Sequence, residues 1–131
     1  MAGIDIAVEI SAPAPVYEQI VRQIHDAVNA GRLKPGAPLP TVRQLAGDLS
    51  LNRNTVARAY KTLEDQGVIL TAGRKGTFVR QDATREVARL KVNRAQRAMR
   101  HVVERLMVDG MSRDEISDIF RQALRARGSK G

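Results

Sequence analysis

Residues 41–63 read TVRQLAGDLSLNRNTVARAYKTL and carry the clearest structural signal in the chain. The segment starts with a capping box, in which the Thr41 hydroxyl and the Gln44 side chain satisfy backbone N–H groups at a helix start. A turn at residues 50–51 leads to Asn52, which is well suited to cap a second helix. Apolar residues recur at helical spacing in both halves: Val42, Leu45, Ala46, Leu49, Val56, Ala59, Tyr60 and Leu63. The pattern predicts two short helices joined by a tight turn, which is a helix-turn-helix.

The residues before this motif also carry local signals. Within residues 1–12, isoleucine and valine alternate with small or acidic side chains, which predicts either a short half-buried strand or an extended arm. Pro15 and Gly31 are placed to start and end an amphipathic helix. Residues 31–40 contain too many glycines and prolines for a helix, so we expect a loop that links this helix to the motif.

A β-hairpin is predicted directly after the helix-turn-helix. Two runs of β-forming side chains flank residues 72–76, which read AGRKG. A helix-turn-helix followed by such a hairpin is a winged helix, whose hairpin tip would place Arg74 and Lys75 against a DNA backbone or minor groove. We therefore predict a mainly α fold with a small β-wing, and an N-terminal winged helix-turn-helix DNA-binding domain over residues 1–82.

Residues 83–131 contain no proline and are predicted to be almost wholly helical. Apolar residues of a first helix are spaced alternately by four and three, and a capping box from Ser112 to Glu115 starts a second helix. Two such helices cannot bury their apolar faces alone in about 50 residues, so we expect a second chain to cover them. The predicted contact residues of this two-helix C-terminal dimerisation region are Val92, Ala95, Met99, Val102, Leu106, Ile116, Ile119 and Phe120.

The chain is strongly basic, and this favours polyanionic partners. It has 22 Lys and Arg against 14 Asp and Glu, a net charge of +8 and a pI near 10.8. Nucleic acid is favoured as a partner, together with an anionic membrane surface. Arg94, Arg97 and Arg100 lie opposite the apolar seam of the first C-terminal helix. We favour a solvated helix back for these arginines over an additional phosphate-binding track.

Composition also excludes or disfavours several classes of protein. The chain has no cysteine, which excludes disulfides, thiolate metal sites and cysteine nucleophiles. His25 and His101 have no carboxylate at ligand spacing and are expected on helix surfaces, so we predict no metal site, no cofactor and no enzymatic activity. No apolar run is long enough to cross a membrane and no signal-peptide pattern opens the sequence, which predicts a soluble, cytoplasmic protein.

The start of the second helix of the motif carries the candidate DNA-reading residues. In a helix-turn-helix this end points into the major groove, where a guanidinium can donate to O6 and N7 of guanine. Arg53 and Arg58 are the candidates for that contact. Asn52, Asn54 and Thr55 can form hydrogen bonds with phosphates or base edges at the same end.

Five ordered motifs resemble the GntR family of bacterial transcriptional regulators. They are YEQI at residues 17–20, GRLKPG at 31–36, LPTVRQLA at 39–46, NRNTVARAY at 52–60 and GRKGTFV at 73–79. The resemblance covers residues 15–80. The short helical remainder resembles the YtrA subfamily, whose members are short dimeric repressors, often of transporter operons.

The resemblance implies DNA-contact positions in this chain. The implied positions are Arg43, Arg53 and Thr55, together with Lys75 and Gly76 at a wing tip that reaches the minor groove. Many family members have arginine where this chain has Ala57, and here the basic residue is shifted to Arg58. Base preferences therefore do not carry over from the family to this chain.

These observations predict a homodimeric, sequence-specific repressor that binds a pseudo-palindromic operator, with transporter genes as candidate targets. Its expected partners are double-stranded DNA and a second copy of the chain, and no membrane partner is expected. A small-molecule effector is left open. The alternative is an architectural protein that binds DNA without sequence preference, for which the high pI would be the main feature.

Overall fold

The computed structural model describes residues 5–128, which form five α-helices and one three-stranded antiparallel sheet. The elements are α1 (Val16–Asn29), β1 (Pro38–Leu39), α2 (Val42–Leu49), α3 (Arg53–Asp65), β2 (Ile69–Thr71), β3 (Thr77–Val79), α4 (Ala83–Val108) and α5 (Arg113–Gly128). The predicted mainly α fold with a small β-wing is confirmed. The chain divides into two compact units, Met1–Leu90 and Lys91–Gly131.

The core of the first unit lies between α1 and α3. Ile20 and Ile24 of α1 and Val56 and Leu63 of α3 are completely buried. In each helix these residues recur at spacings of four or seven, which places them on one face. Burial of such apolar side chains supplies the main driving force that holds the unit together.

His25 is buried in this core, so the prediction of a surface histidine was wrong. It follows Val21 by four residues and therefore shares the buried face of α1. Its Nε2 lies 2.7 Å from Oε1 of Gln66, just beyond the end of α3. This hydrogen bond is what allows a polar ring to sit among apolar neighbours.

The helix-turn-helix forms through the local interactions that its sequence predicts. Thr41 Oγ1 accepts from the Gln44 N–H at 3.0 Å, and Gln44 Oε1 accepts from the Thr41 N–H at 2.9 Å. Ser50 adopts a left-handed conformation, with φ of 55°, and ends α2. Asn52 Oδ1 accepts from the Asn54 N–H at 2.7 Å and caps α3. These caps fix where both helices begin and how tightly the turn between them closes.

The wing contains one strand more than the predicted hairpin. The strand order is β1-β3-β2, with Leu39 and Thr71 both paired to Thr77 on the central strand. Sequence reasoning assigned the segment before α2 entirely to a loop because of its prolines. Pro38 is compatible with a strand here because β1 is an edge strand, where the missing N–H is not needed.

Residues 5–9 form no strand and lie along α1 as an arm, and residues 10–14 form a turn and bends that lead into α1. Within the described residues, the arm is therefore the alternative that forms. The Gln23 side chain accepts from the Ala7 N–H at 3.0 Å and donates to the Ala7 carbonyl at 2.6 Å. The Gln19 side chain bonds both backbone groups of Glu9 in the same way, at 2.8 and 2.9 Å. The two glutamine side chains therefore satisfy backbone N–H and C=O groups that a neighbouring strand would otherwise bind. The prediction for residues 1–4 lies outside the described residues.

The first compact unit extends beyond the predicted boundary at residue 82. Ala83 and Val87, in the first two turns of α4, are 0% and 4% exposed and belong to the core of that unit. The unit consequently continues to Leu90. In the second unit, no residue from 91 to 128 is buried.

Candidate nucleic-acid interface

The exposed face of α3 is bordered by two arginines. At 100° per residue, Arg53 and Arg58 lie about 140° apart around the helix axis. Asn54, Ala57 and Lys61 lie between them, and all five residues are exposed. The opposite face of α3 is the one buried against α1. We call the exposed face, from Arg53 to Arg58, the recognition face.

Arg53 is the first residue of α3 and makes no ion pair with any residue of 5–128. The adjacent Asn52 has a different role, because its Oδ1 already accepts from the Asn54 N–H. Asn52 therefore acts as the helix cap. The side-chain amide of Asn54 takes no part in this cap and remains a candidate for a DNA contact. Thr55 is half-buried at the margin of the recognition face. The positive end of the helix dipole at Arg53 favours a phosphate or an electronegative base edge.

A hydrogen bond to the loop before α2 holds α3 in place. The Tyr60 hydroxyl donates to the Pro40 carbonyl at 2.6 Å, and burial raises the pKa of this phenol. The hydroxyl therefore keeps its proton and its donor role at physiological pH. On the first turn of α2, Arg43 is exposed, as a DNA contact requires.

Arg58 lies against an aromatic ring of α1. Its guanidinium carbon is 3.9 Å from the centroid of the Tyr17 ring. The sequence analysis placed Arg58 among the candidate base readers and gave Tyr17 no functional role. The pair escaped prediction because its members are brought together only by the packing of α1 on α3.

Lys61 is a basic residue of the recognition face that the sequence analysis missed. Its Nζ lies 3.2 Å from Asp65 Oδ1, and both side chains are mostly exposed. Such an exposed pair contributes little to stability and is easily exchanged for a phosphate. A helical projection from Asn54 through Ala57 would have placed Lys61 on the same face.

The wing tip presents two cations on a short turn. Arg74 and Lys75 are exposed within the 3-10 turn Gly73–Lys75. Gly76 follows with φ of 108°, a conformation that residues with a Cβ rarely adopt. The Ala72 N–H donates to the Gly76 carbonyl at 2.8 Å and closes the loop. Gly76 therefore shapes the turn that carries the two cations.

The second unit presents an apolar surface. Val92, Met99 and Val102 on α4 are about half exposed, as are Ile119 and Phe120 on α5. Of the other predicted contact residues, Ala95 is also exposed, whereas Leu106 and Ile116 are less exposed than these. Within the same unit, a groove of about 300 Å³ is lined mainly by apolar residues. The lining includes Val103 and Met107, which the sequence analysis did not include.

Comparison with known proteins identifies relatives of one class. The family model for "Bacterial regulatory proteins, gntR family" matches residues 16–79. The HTH-type transcriptional regulator Rv1152 of Mycobacterium tuberculosis is 49% identical over 74 residues, which cover 56% of this chain and 61% of that protein. The HTH-type transcriptional repressor YtrA of Bacillus subtilis is 34% identical over 98 residues, which cover 75% of each chain. A crystal structure of a transcriptional regulator from Oenococcus oeni matches with a TM-score of 0.73 and 36% identity, covering 90% of this chain and 98% of that one.

The winged helix, with its basic recognition face and wing tip, defines a DNA-binding transcriptional regulator. The chain belongs to the GntR family of bacterial regulators, and within it the chain is similar to the repressor YtrA. The relatives are regulators and not enzymes. Among the described helices, none is both long enough and apolar enough to cross a membrane.

Proposed function

We propose that this GntR-family regulator is a homodimeric repressor that binds a pseudo-palindromic operator through the recognition face and the wing tip. The observation that carries the proposal is the position of Arg53 at the start of α3, where it has no ion-pair partner among residues 5–128 and lies on an exposed helix face bordered by a second arginine. The start of a recognition helix points into the major groove, so the guanidinium of Arg53 at the start of α3 is placed to contact base edges there. The similarity to YtrA supports a repressor.

The competing proposal is a protein that coats DNA without sequence preference. A selection from a pool of random duplexes, followed by titration of the selected duplex against bulk competitor DNA, separates the two. A specificity ratio above about 10³ supports the operator-binding regulator, whereas a ratio near unity supports the coating protein. The resemblance to the YtrA subfamily extends the proposal to transporter genes, and transcript levels in a deletion strain test that extension.

The apolar surface of the second unit is the basis for the proposed dimer. With no buried residue between 91 and 128, α5 and most of α4 lack a core of their own. Isolated helices of this length are marginal in water, and their stability normally comes from packing of an apolar face. A second copy of the chain offers the same apolar face, as in a symmetric dimer. Two linked winged helices would then bind two half-sites with a gain in effective concentration.

Lys75 is expected to contribute a contact to the DNA backbone. Replacing Lys75 by alanine removes one cation from the exposed wing tip, and we expect similar losses of affinity for specific and bulk DNA. The slope of the logarithm of the binding constant against the logarithm of salt concentration should fall by about one per subunit. Binding titrations over a salt series measure both quantities. A loss confined to one sequence, with an unchanged slope, would make Lys75 a base reader instead.

A further inference from the structure

The contact between Arg58 and Tyr17 joins the recognition helix to the first turns of α1. At 3.9 Å from the ring centroid, the guanidinium lies within the range of a cation–π interaction. Tyr17 is half-buried and packs against the core, so its ring is a fixed support. The Tyr17 hydroxyl points to its own neighbour and donates to Glu18 at 3.3 Å. The ring face is what holds the arginine.

The nearby carboxylates do not neutralise Arg58. Among residues 5–128, the Arg58 guanidinium has no ion pair and no hydrogen bond, and Asp65 pairs instead with Lys61. By contrast, Arg89 and Arg121 in the same chain each lie against a carboxylate. A guanidinium on an aromatic ring keeps its charge and the N–H donors along its edge. Arg58 is therefore held in place while its capacity to bind an anion remains unused.

The position of Arg58 favours a phosphate over a base as that anion. Arg58 lies at the border of the recognition face beside α1, whereas Asn54 and Lys61 occupy its centre. Arg53 lies at the other border, but it is the first residue of α3, at the end whose residues contact base edges in a helix-turn-helix. Arg58 comes more than one turn later and is held against α1, which favours a contact with the sugar-phosphate backbone. A guanidinium also donates to phosphate oxygens in a geometry that it matches well.

We propose that Tyr17 is a positioning residue, which holds Arg58 at the border of the recognition face so that Arg58 binds a phosphate of the DNA backbone. This inference rests on the proposed function, in which α3 enters the major groove. Tyr17 thereby couples the first turns of α1 to DNA affinity, and Arg58 contributes binding strength without reading sequence.

A double-mutant cycle tests the coupling on the duplex that the wild-type chain selects from a random pool. Arg58→Gln should weaken binding by about tenfold, as expected for loss of a charged hydrogen bond, and should lower the salt slope by about one per subunit. Tyr17→Leu keeps an apolar side chain but removes the ring, and should weaken binding about threefold to fivefold. In the Arg58→Gln background, Tyr17→Leu should cause no further loss. Tyr17→Phe keeps the ring and should bind like the wild type.

Several outcomes would overturn the inference. Equal losses from Tyr17→Leu in both backgrounds would show that Tyr17 acts only through the fold, and a changed base preference in Arg58→Gln would make Arg58 a base reader. Unchanged binding in either single variant would also reject it. Arg53→Ala distinguishes a failure of this inference from a failure of the proposed function. This variant should still lose affinity for the selected duplex even if the substitutions of Tyr17 have no effect. A wild-type chain that selects no duplex would overturn both.

Discussion

Replacing Val102 by glutamate should convert the protein into a monomer and abolish tight operator binding. Val102 is half exposed on the apolar surface of the second unit, where we propose that a second chain packs. In the dimer the substitution would bury an unpaired carboxylate on each subunit, at a cost of several kcal/mol. Loss of the second winged helix should then lower operator affinity by about 10²- to 10⁴-fold, which exceeds the effect expected from any single DNA contact. Sedimentation and binding titrations measure the two effects.

The neighbouring residue offers a matched control. His101→Glu adds the same charge on the same helix, but His101 points away from the apolar seam and is exposed. It should leave both the dimer and the operator affinity close to those of the wild type. The helix content of the Val102 variant, from circular dichroism, shows whether the region unfolds as it separates. A wild-type chain that is monomeric at micromolar concentration, or a folded monomeric variant with normal affinity, would contradict the dimer.

The predictable part of the fold is the part that local chemistry determines. Thr41 with Gln44, and Ser112 with Glu115, satisfy helix-start N–H groups within three residues, and both capping boxes are present. Asn52 caps α3 in the same short-range manner. Such interactions depend on neighbours along the chain, so the sequence contains nearly all the information needed to place them.

The features that sequence reasoning missed depend on packing between distant segments. His25 meets Gln66 across 41 positions, and Pro38 becomes part of a strand only because Phe78 lies beside it. Periodicity places a residue on a helix face, but it does not show which element will cover that face. The same limit applies to the candidate site, where the recognition helix was predicted but the partnership of Arg58 with Tyr17 was not.

Two contacts between α1 and α3 show how the two helices are oriented. Tyr17 lies beside Arg58, and His25 lies beside Gln66, eight residues further along each chain segment. The two helices therefore run in the same direction. The first turn of α1 meets the second turn of α3 at the border of the recognition face, whereas His25 and Gln66 meet towards the other end in a part-buried hydrogen bond.

Replacing Arg53 by alanine should remove a base contact from each half-site. Arg53 begins α3, is exposed and has no carboxylate partner among the described residues, so its guanidinium is available for the O6 and N7 of guanine. We expect a loss of about 1 to 3 kcal/mol per contact for the selected duplex and a relaxed preference at one position of each half-site. Arg32→Ala is the matched control, because it removes an equal charge just beyond the far end of α1. A repeat of the random-duplex selection with each variant measures the change, and an unaltered base preference in Arg53→Ala would show that Arg53 does not read the operator.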